Sequence, residues 1–252
     1  MDSETKTERT PVFPVMPAFI LVRPQLAENV GTAARAMMNC ALEDMRLVDP
    51  DEDHLCPRAI AASSGAEEIL HRARVFKTVA EAVSDLQKVY ATTGRPRDMI
   101  KPVFTGQGMA ADIADLSARG IKCGVLFGPE RTGLENDDLA YADVIVNIPL
   151  NPRHCSLNLA QAVLLAGYEL FRLTDTTRDR FLSMPNTEPA NKQETEHLFD
   201  HLEQELEKAG YFKSPEKRPR MMRNLRNIFM RAELTSQDVR TLHGVIADLS
   251  RR

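Results

Sequence analysis

Short apolar runs alternate with segments of helical periodicity up to about Thr174, and this alternation limits the possible folds more than any other feature of the chain. AFILV (Ala18 to Val22), MRLVD (Met45 to Asp49), KVYATT (Lys88 to Thr93), GVLF (Gly124 to Phe127) and VIVNIP (Val144 to Pro149) read as strands, with a weaker one at Arg74 to Phe76. Short, largely apolar runs that alternate with helical segments imply a parallel sheet with helices on both faces, an α/β class.

Two helices stand out. Val30, Ala33, Ala34, Met37, Met38 and Ala41 recur at spacings of three and four and predict one buried stripe. Asn29 is placed to cap that helix, and Met37 and Met38 read as core fillers. The second helix opens at Ser156 as its expected cap, with Leu157, Ala160, Val163, Leu164, Gly167, Tyr168 and Phe171 as the buried stripe.

The ends have a different character. Residues 1–17 are polar and proline-rich, without the basic and apolar regions of a signal peptide, and read as a flexible lead. The α/β domain is expected over 18–175 and a polar linker over 176–192. A helical extension over 193–252 follows, with one helix closed by Gly210 and basic helical segments near Arg220 to Arg231 and Ser236 to Leu249. From Pro215 onward nine Lys/Arg face four Asp/Glu, a local +5 in a chain of net charge −4, so the rest carries −9. An average acidity can hide a local basic patch of this kind.

Several classes are disfavoured. No apolar stretch reaches the roughly 18–20 residues of a membrane span. Cys40, Cys56, Cys123 and Cys155 lack the short spacing of a zinc site, and a reduced, cytoplasmic setting is expected. His197 and His201 are four apart on a helix but have no third ligand nearby in sequence, so no metal is expected. Neither the dinucleotide fingerprint GxGxxG nor the phosphate loop GxxxxGK[ST] is present.

Three clusters at strand ends remain as candidate chemistry. The first is Asn29-Val30-Gly31-Thr32-Ala33-Ala34-Arg35, where Gly31 is expected to leave open space beside the Arg35 guanidinium. The second is the loop Phe127-Gly128-Pro129-Glu130-Arg131-Thr132-Gly133-Leu134. The third runs from Ile148-Pro149-Leu150 to His154-Cys155-Ser156-Leu157-Asn158-Leu159. Each also has a plain reading: a solvated surface arginine, an ordinary strand-to-helix turn, or simple helix capping.

Taken in order, NxGxxxR, FGPERTGL and IPL…SLNLAQA resemble the three motifs of the SPOUT class of S-adenosylmethionine-dependent RNA methyltransferases, over about Ala18 to Leu173. They are most similar to the TrmH/TrmJ-type branch that acts on the ribose 2′-OH. The resemblance implies a SPOUT fold with a trefoil knot late in the domain, a cofactor pocket formed by that knot, and a homodimer that completes the active site. Arg35, Asn29, Glu130, Ser156 and Asn158 match the motifs' catalytic positions. Thr92, Thr93, Gly94, Gly128, Ile148, Ser156 and Leu157 would line the cofactor pocket. The stretch NIFMRAELTSQDVRTLHGVIADL is similar to the tail of TrmJ-type enzymes.

That similarity implies methylation of nucleotide 32, a cytidine or uridine in the tRNA anticodon loop. Another tRNA position or ribosomal RNA is the alternative inside the class, and a non-catalytic RNA-binding protein the alternative outside it. Basic side chains expected to meet RNA are Arg95, Arg97 and Lys101 after the fourth strand, and Lys217, Arg218, Arg220, Arg223 and Arg226 in the tail.

Overall fold

A computed structural model describes residues 13–93, 99–177, 184 and 186–251. Gly94, Arg95 and Arg97 lie outside the described residues, as does most of the lead and part of the expected linker. The chain divides into two compact units, Met1–Thr176 and Thr177–Arg252.

The first unit is built from β1 (Ala18–Val22), α1 (Ala27–Asn39), β2 (Met45–Val48), α2 (Pro57–Ser63), α3 (Glu67–Arg72), β3 (Arg74–Phe76), α4 (Val79–Val83), β4 (Lys88–Thr92), β5 (Val103–Phe104), α5 (Gly106–Ala118), β6 (Cys123–Phe127), α6 (Asn136–Ala140), β7 (Val144–Val146) and α7 (Leu159–Arg172). The strands form one sheet in the order β3-β2-β1-β6-β4-β7-β5, and every pairing is parallel. The six expected strands are present. The seventh, β5, is two residues long and too short to carry a periodic signal.

Side chains alternate across the sheet as strand geometry requires. On β1, Phe19 and Leu21 enter a core shared with α1, α5 and α7, while Ala18, Ile20 and Val22 enter a second core with α4 and α6. Phe19 and Phe127 pack with ring centroids 5.1 Å apart. Arg46 is the one charged residue in the middle of a buried strand; it is 2% exposed and is satisfied by Asp44, Asp85 and the carbonyl of Ala82. Removing either carboxylate would leave much of that buried charge uncompensated. Burial pushes the Cys40 and Cys123 thiols up to about 11, so both are inert core groups.

The helix starts differ from expectation. Leu26, not Asn29, is the N-cap of α1, and it offers no side-chain cap. The first turn is instead served by Glu52, whose Oε2 accepts from the Ala27 N–H at 2.9 Å. That bond, followed by Arg58, holds the Glu52 carboxyl below its ordinary range. Helix α7 is capped by Asn158, not Ser156, in a capping box with Gln161. Two expected stripes also shift: Met38 is 41% exposed, and Leu164 and Tyr168 are 41% and 51% exposed. The buried face of α7 is Leu159, Ala160, Val163, Ala166, Gly167 and Leu170.

The second unit contains α8 (Lys192–Lys208), a 3-10 turn (Pro215–Lys217), α9 (Arg218–Met230) and α10 (Ser236–Ser250). Asn191 and Thr235 close capping boxes on α8 and α10, and Gly210 adopts φ +69 past the end of α8. Leu198, Phe199, Met222 and Val239 are its buried apolar residues. Arg226 lies over the Phe199 ring and bonds Glu196, while Arg218 bonds Glu203 and Glu207. These two arginines, expected to serve RNA, hold the helices of this unit to one another. Arg220 and Arg223 are exposed and have no ion pair among the described residues.

Candidate active site

Open parallel sheets bind ligands beyond the carboxyl ends of their strands, where the chain order switches. Here the switch lies at β4: the chain leaves it for the edge strand β5 and returns on its other side as β6. A cavity of about 260 Å³ opens at the ends of β6, β4 and β7. Thr92, Thr93, Gly128, Ile148, Ser156 and Leu157 line it, as do Glu130, Arg131 and Leu150.

Glycine shapes the loop after β6. A Cβ on Gly128 would stand 2.2 Å from the Leu134 nitrogen and 2.5 Å from the Gly133 carbonyl carbon, so the loop folds back where only hydrogen fits. Gly133 turns the chain at φ +67, and its N–H donates to the Pro129 carbonyl. The β1–α1 loop grips this turn at two points. The Gln25 N–H donates to Glu130, and Arg23 makes a two-pronged pair with the buried Asp138 of α6 at 3.1 and 2.5 Å. Asp138 also accepts from the Glu135 N–H and so fixes the loop's far end. Its carboxylate raises the Arg23 guanidinium above its ordinary value.

One hydrogen-bonded chain joins the three sequence clusters. Asn29 Nδ2 donates to Glu130 Oε1 at 2.5 Å, and Asn158 Nδ2 donates to Asn29 Oδ1 at 2.9 Å. Asn158 Oδ1 in turn accepts from the Ala160 N–H. Asn29 thus sits in the first turn of α1 as a connector between the acidic loop and the start of α7. Ser156 lies on the cavity wall, two residues before that junction.

Arg35 is not part of this cluster. Six residues beyond Asn29 on α1 it is about 9 Å further along the axis and well round the helix. It is exposed, with no hydrogen bond or ion pair among the described residues. Gly31 leaves no open space beside it either: a Cβ there would stand 2.1 Å from the Ala59 carbonyl oxygen, so this glycine lets α1 and α2 touch. Lys101 is half-buried and donates to the Ala142 carbonyl, so it ties its loop down.

Sequence reasoning missed Arg131 as a lining residue, as well as Gln25, Gln161 and the Arg23–Asp138 pair. Arg131 was within reach, because it stands between Gly128 and Gly133 in the second candidate cluster. Gln161 was also within reach, three residues after Asn158 at capping-box spacing, whereas Gln25 and the Arg23–Asp138 pair act between segments distant in sequence that no local pattern reports. No group of three or more His, Cys, Asp or Glu able to hold a metal occurs among the described residues. His201 instead stacks on His243, with Nδ1 atoms 2.8 Å apart. No described helix is long and apolar enough to cross a membrane.

Comparison with known proteins supplies the lineage. Residues 16–168 match the SpoU rRNA Methylase family, and residues 193–252 match the C-terminal domain of the tRNA methyltransferase TrmJ. The tRNA (cytidine/uridine/adenosine-2′-O-)-methyltransferase TrmJ of Pseudomonas aeruginosa is 34% identical, over 91% of each chain. A crystal structure of TrmJ from Z. mobilis ZM4 superposes with a TM-score of 0.80 at 45% identity, covering 94% of this chain and all of that one. The SpoU methyltransferase AviRb from Streptomyces viridochromogenes, solved in complex with AdoMet, shares the fold at 17% identity and a TM-score of 0.52, over 71% of this chain and 64% of that one. The chain belongs to the SpoU methylase family of methyltransferases, in the branch that carries a TrmJ C-terminal domain.

Proposed function

We propose that this protein transfers a methyl group from S-adenosylmethionine to a ribose 2′-OH of tRNA, at nucleotide 32 of the anticodon loop when that nucleotide is a cytidine or uridine. The observation that carries the reading is the bonded chain Glu130–Asn29–Asn158, which ties all three motifs to one cavity. The cavity suits the donor chemically. Phe127, Val146, Ile148, Leu150, Leu157 and Leu159 offer apolar walls for a base, while Thr92, Thr93, Thr132 and Ser156 offer hydroxyl partners. Bound there, S-adenosylmethionine supplies an electrophilic methyl on a sulfonium.

The protein's own task is to position and to stabilise charge. Glu130 accepts from Gln25 and Asn29 and so holds the first-motif helix against the loop. Arg35 stabilises the negative charge that develops on the 2′-oxygen as its proton passes to solvent; a guanidinium holds its own proton too tightly to serve as a ready base. Because Arg35 stands away from its own cluster, the arginine of a second copy completes each site. Exposed Met38, Leu164, Leu165 and Tyr168 on α1 and α7 support such a homodimer. The trefoil knot implied by the motifs belongs to the same reading, as does a role for Arg220 and Arg223 in holding RNA.

The test is incubation with methyl-labelled donor and bulk tRNA, followed by mapping of the labelled nucleoside. A 2′-O-methylated nucleotide 32 is expected. Label on a base, or none on any RNA, would overturn the proposal.

A further inference from the structure

Arginines in the first unit are mostly neutralised. Of the ten in its described residues, seven hold an Asp or Glu: Arg23, Arg46, Arg58, Arg72, Arg74, Arg119 and Arg172. The other three are Arg35, Arg131 and Arg153, all exposed and without an ion pair among the described residues. Arg35 has its place in the reading above. Arg131 and Arg153 remain, and both belong to loops that build the same cavity.

Among the described residues, Arg131 is the only cation lining that cavity. It follows Glu130, whose carboxylate is already bonded to Asn29 and Gln25, and the turn closed by Gly133 N–H to Pro129 holds it in place. Arg153 lies between Leu150 and Cys155, both lining residues, in a turn where its own N–H donates to Asn151 Oδ1 and the His154 N–H donates to the Asn151 carbonyl. One exposed guanidinium thus lines the cavity and a second stands in a turn between two lining residues, neither with an ion pair among the described residues, in a chain that is acidic outside its tail.

We propose that Arg131 and Arg153 form a phosphate clamp at the mouth of the cavity, gripping the phosphodiester 3′ to the ribose that is modified. The proposal rests on the methyltransferase reading and deepens it. The chemistry selects this anion, because a ribose 2′-OH sits on the carbon next to the one bearing the 3′-phosphate. Any cation at the point of transfer therefore meets that phosphate. The donor's own carboxylate is a poorer partner, since an ammonium on the adjacent carbon offsets it. Guanidinium forks match phosphate oxygens two at a time and fix orientation as well as distance.

The experiment uses the full-length protein and the variants Arg131→Gln, Arg153→Gln and Arg131→Lys, with Lys122→Gln as a charge control at the opposite end of β6. Donor affinity is read by calorimetry with S-adenosylhomocysteine, and kcat and KM for tRNA are measured across a salt series. Each Gln variant is expected to raise the tRNA KM about five- to twentyfold and leave the S-adenosylhomocysteine Kd within twofold. Its salt slope should flatten by about 0.7, the value for one lost phosphate contact on a single strand. Arg131→Lys should restore the slope but only part of the KM, and Lys122→Gln should change neither. Unchanged KM and slope in both Gln variants would overturn the clamp. So would a weakened S-adenosylhomocysteine Kd with an unchanged tRNA KM, which would assign the arginines to the donor. If the wild-type protein methylates no RNA, the underlying reading fails instead, and that outcome is distinct.

Discussion

Replacing Gly128 with alanine tests whether the loop after β6 forms the donor wall. The added Cβ would lie 2.2 Å from the Leu134 nitrogen, where ordinary contact begins at 3.4 Å. Something must therefore move by about 1.2 Å, and both close neighbours are backbone, which cannot rotate aside. Leu134 is 1% exposed and anchored in the second core, while Pro129 is buried on the other side. Overpacking of this kind costs about 1–3 kcal/mol. If the strain falls on the bound geometry, that corresponds to roughly a 5- to 150-fold loss of affinity. Calorimetric titration of S-adenosylhomocysteine should show a Kd raised at least about fivefold. Thermal unfolding should show a Tm lowered by about 2–12 °C, at about 2–4 °C per kcal/mol for a chain of this size. A Kd within twofold of wild type would refute the assignment of this loop to the donor site.

Other substitutions probe separate links. Gly31→Ala would force α1 off the Ala59 carbonyl and should cost about 1–3 kcal/mol, read as a lower midpoint in urea unfolding. Arg35→Lys keeps the charge but loses the fork, so turnover should fall at least about tenfold with Tm and donor affinity unchanged; near-normal turnover would exclude a role for the planar guanidinium. The double variant Arg220→Gln and Arg223→Gln should weaken tRNA binding and flatten its salt slope by about 1–2, with donor binding intact. Burial first, then His201 and His197, hold the His243 pKa below its ordinary 6.5. The unfolded chain thus takes up that proton more readily than the folded one. This contribution to stability is complete above about pH 6.5 and declines as pH falls through that value toward the lower folded pKa. The thermal midpoint should drop between pH 7.5 and 5.5, and His243→Gln should flatten the drop.

The strands were legible because a buried parallel strand is largely apolar, and AFILV and GVLF show this without any help from context. The two-residue β5 was not, since Val103 and Phe104 are held by pairing with β7 rather than by a pattern of their own. Helix periodicity located α1 and α7 but misplaced their first turns. In α1 the capping oxygen comes from Glu52, a loop residue 25 positions away, and local propensity cannot see it. In α7 both Ser156 and Asn158 are suitable caps, and the Gln161 side chain that completes the box selects Asn158. Met38, Leu164 and Tyr168 fit the helical period yet face outward, because period alone does not say which edge of a stripe the core covers. The motif residues came from ordered spacing. Their bonding to each other, and the separation of Arg35 from them, depended on how three distant loops meet.

The strand order has a consequence for synthesis. Ala18 takes its register from Gly124, so β1 emerges from the ribosome more than a hundred residues before β6, the neighbour that flanks it on one side. At about 5–20 residues per second, that delay is roughly 5–20 s. Throughout it the nascent segment carries an unpaired hydrogen-bonding edge that another chain could occupy. Translation speed over α2 to α5, and holdase chaperones that shield such an edge, should therefore set how much of this protein reaches its native state.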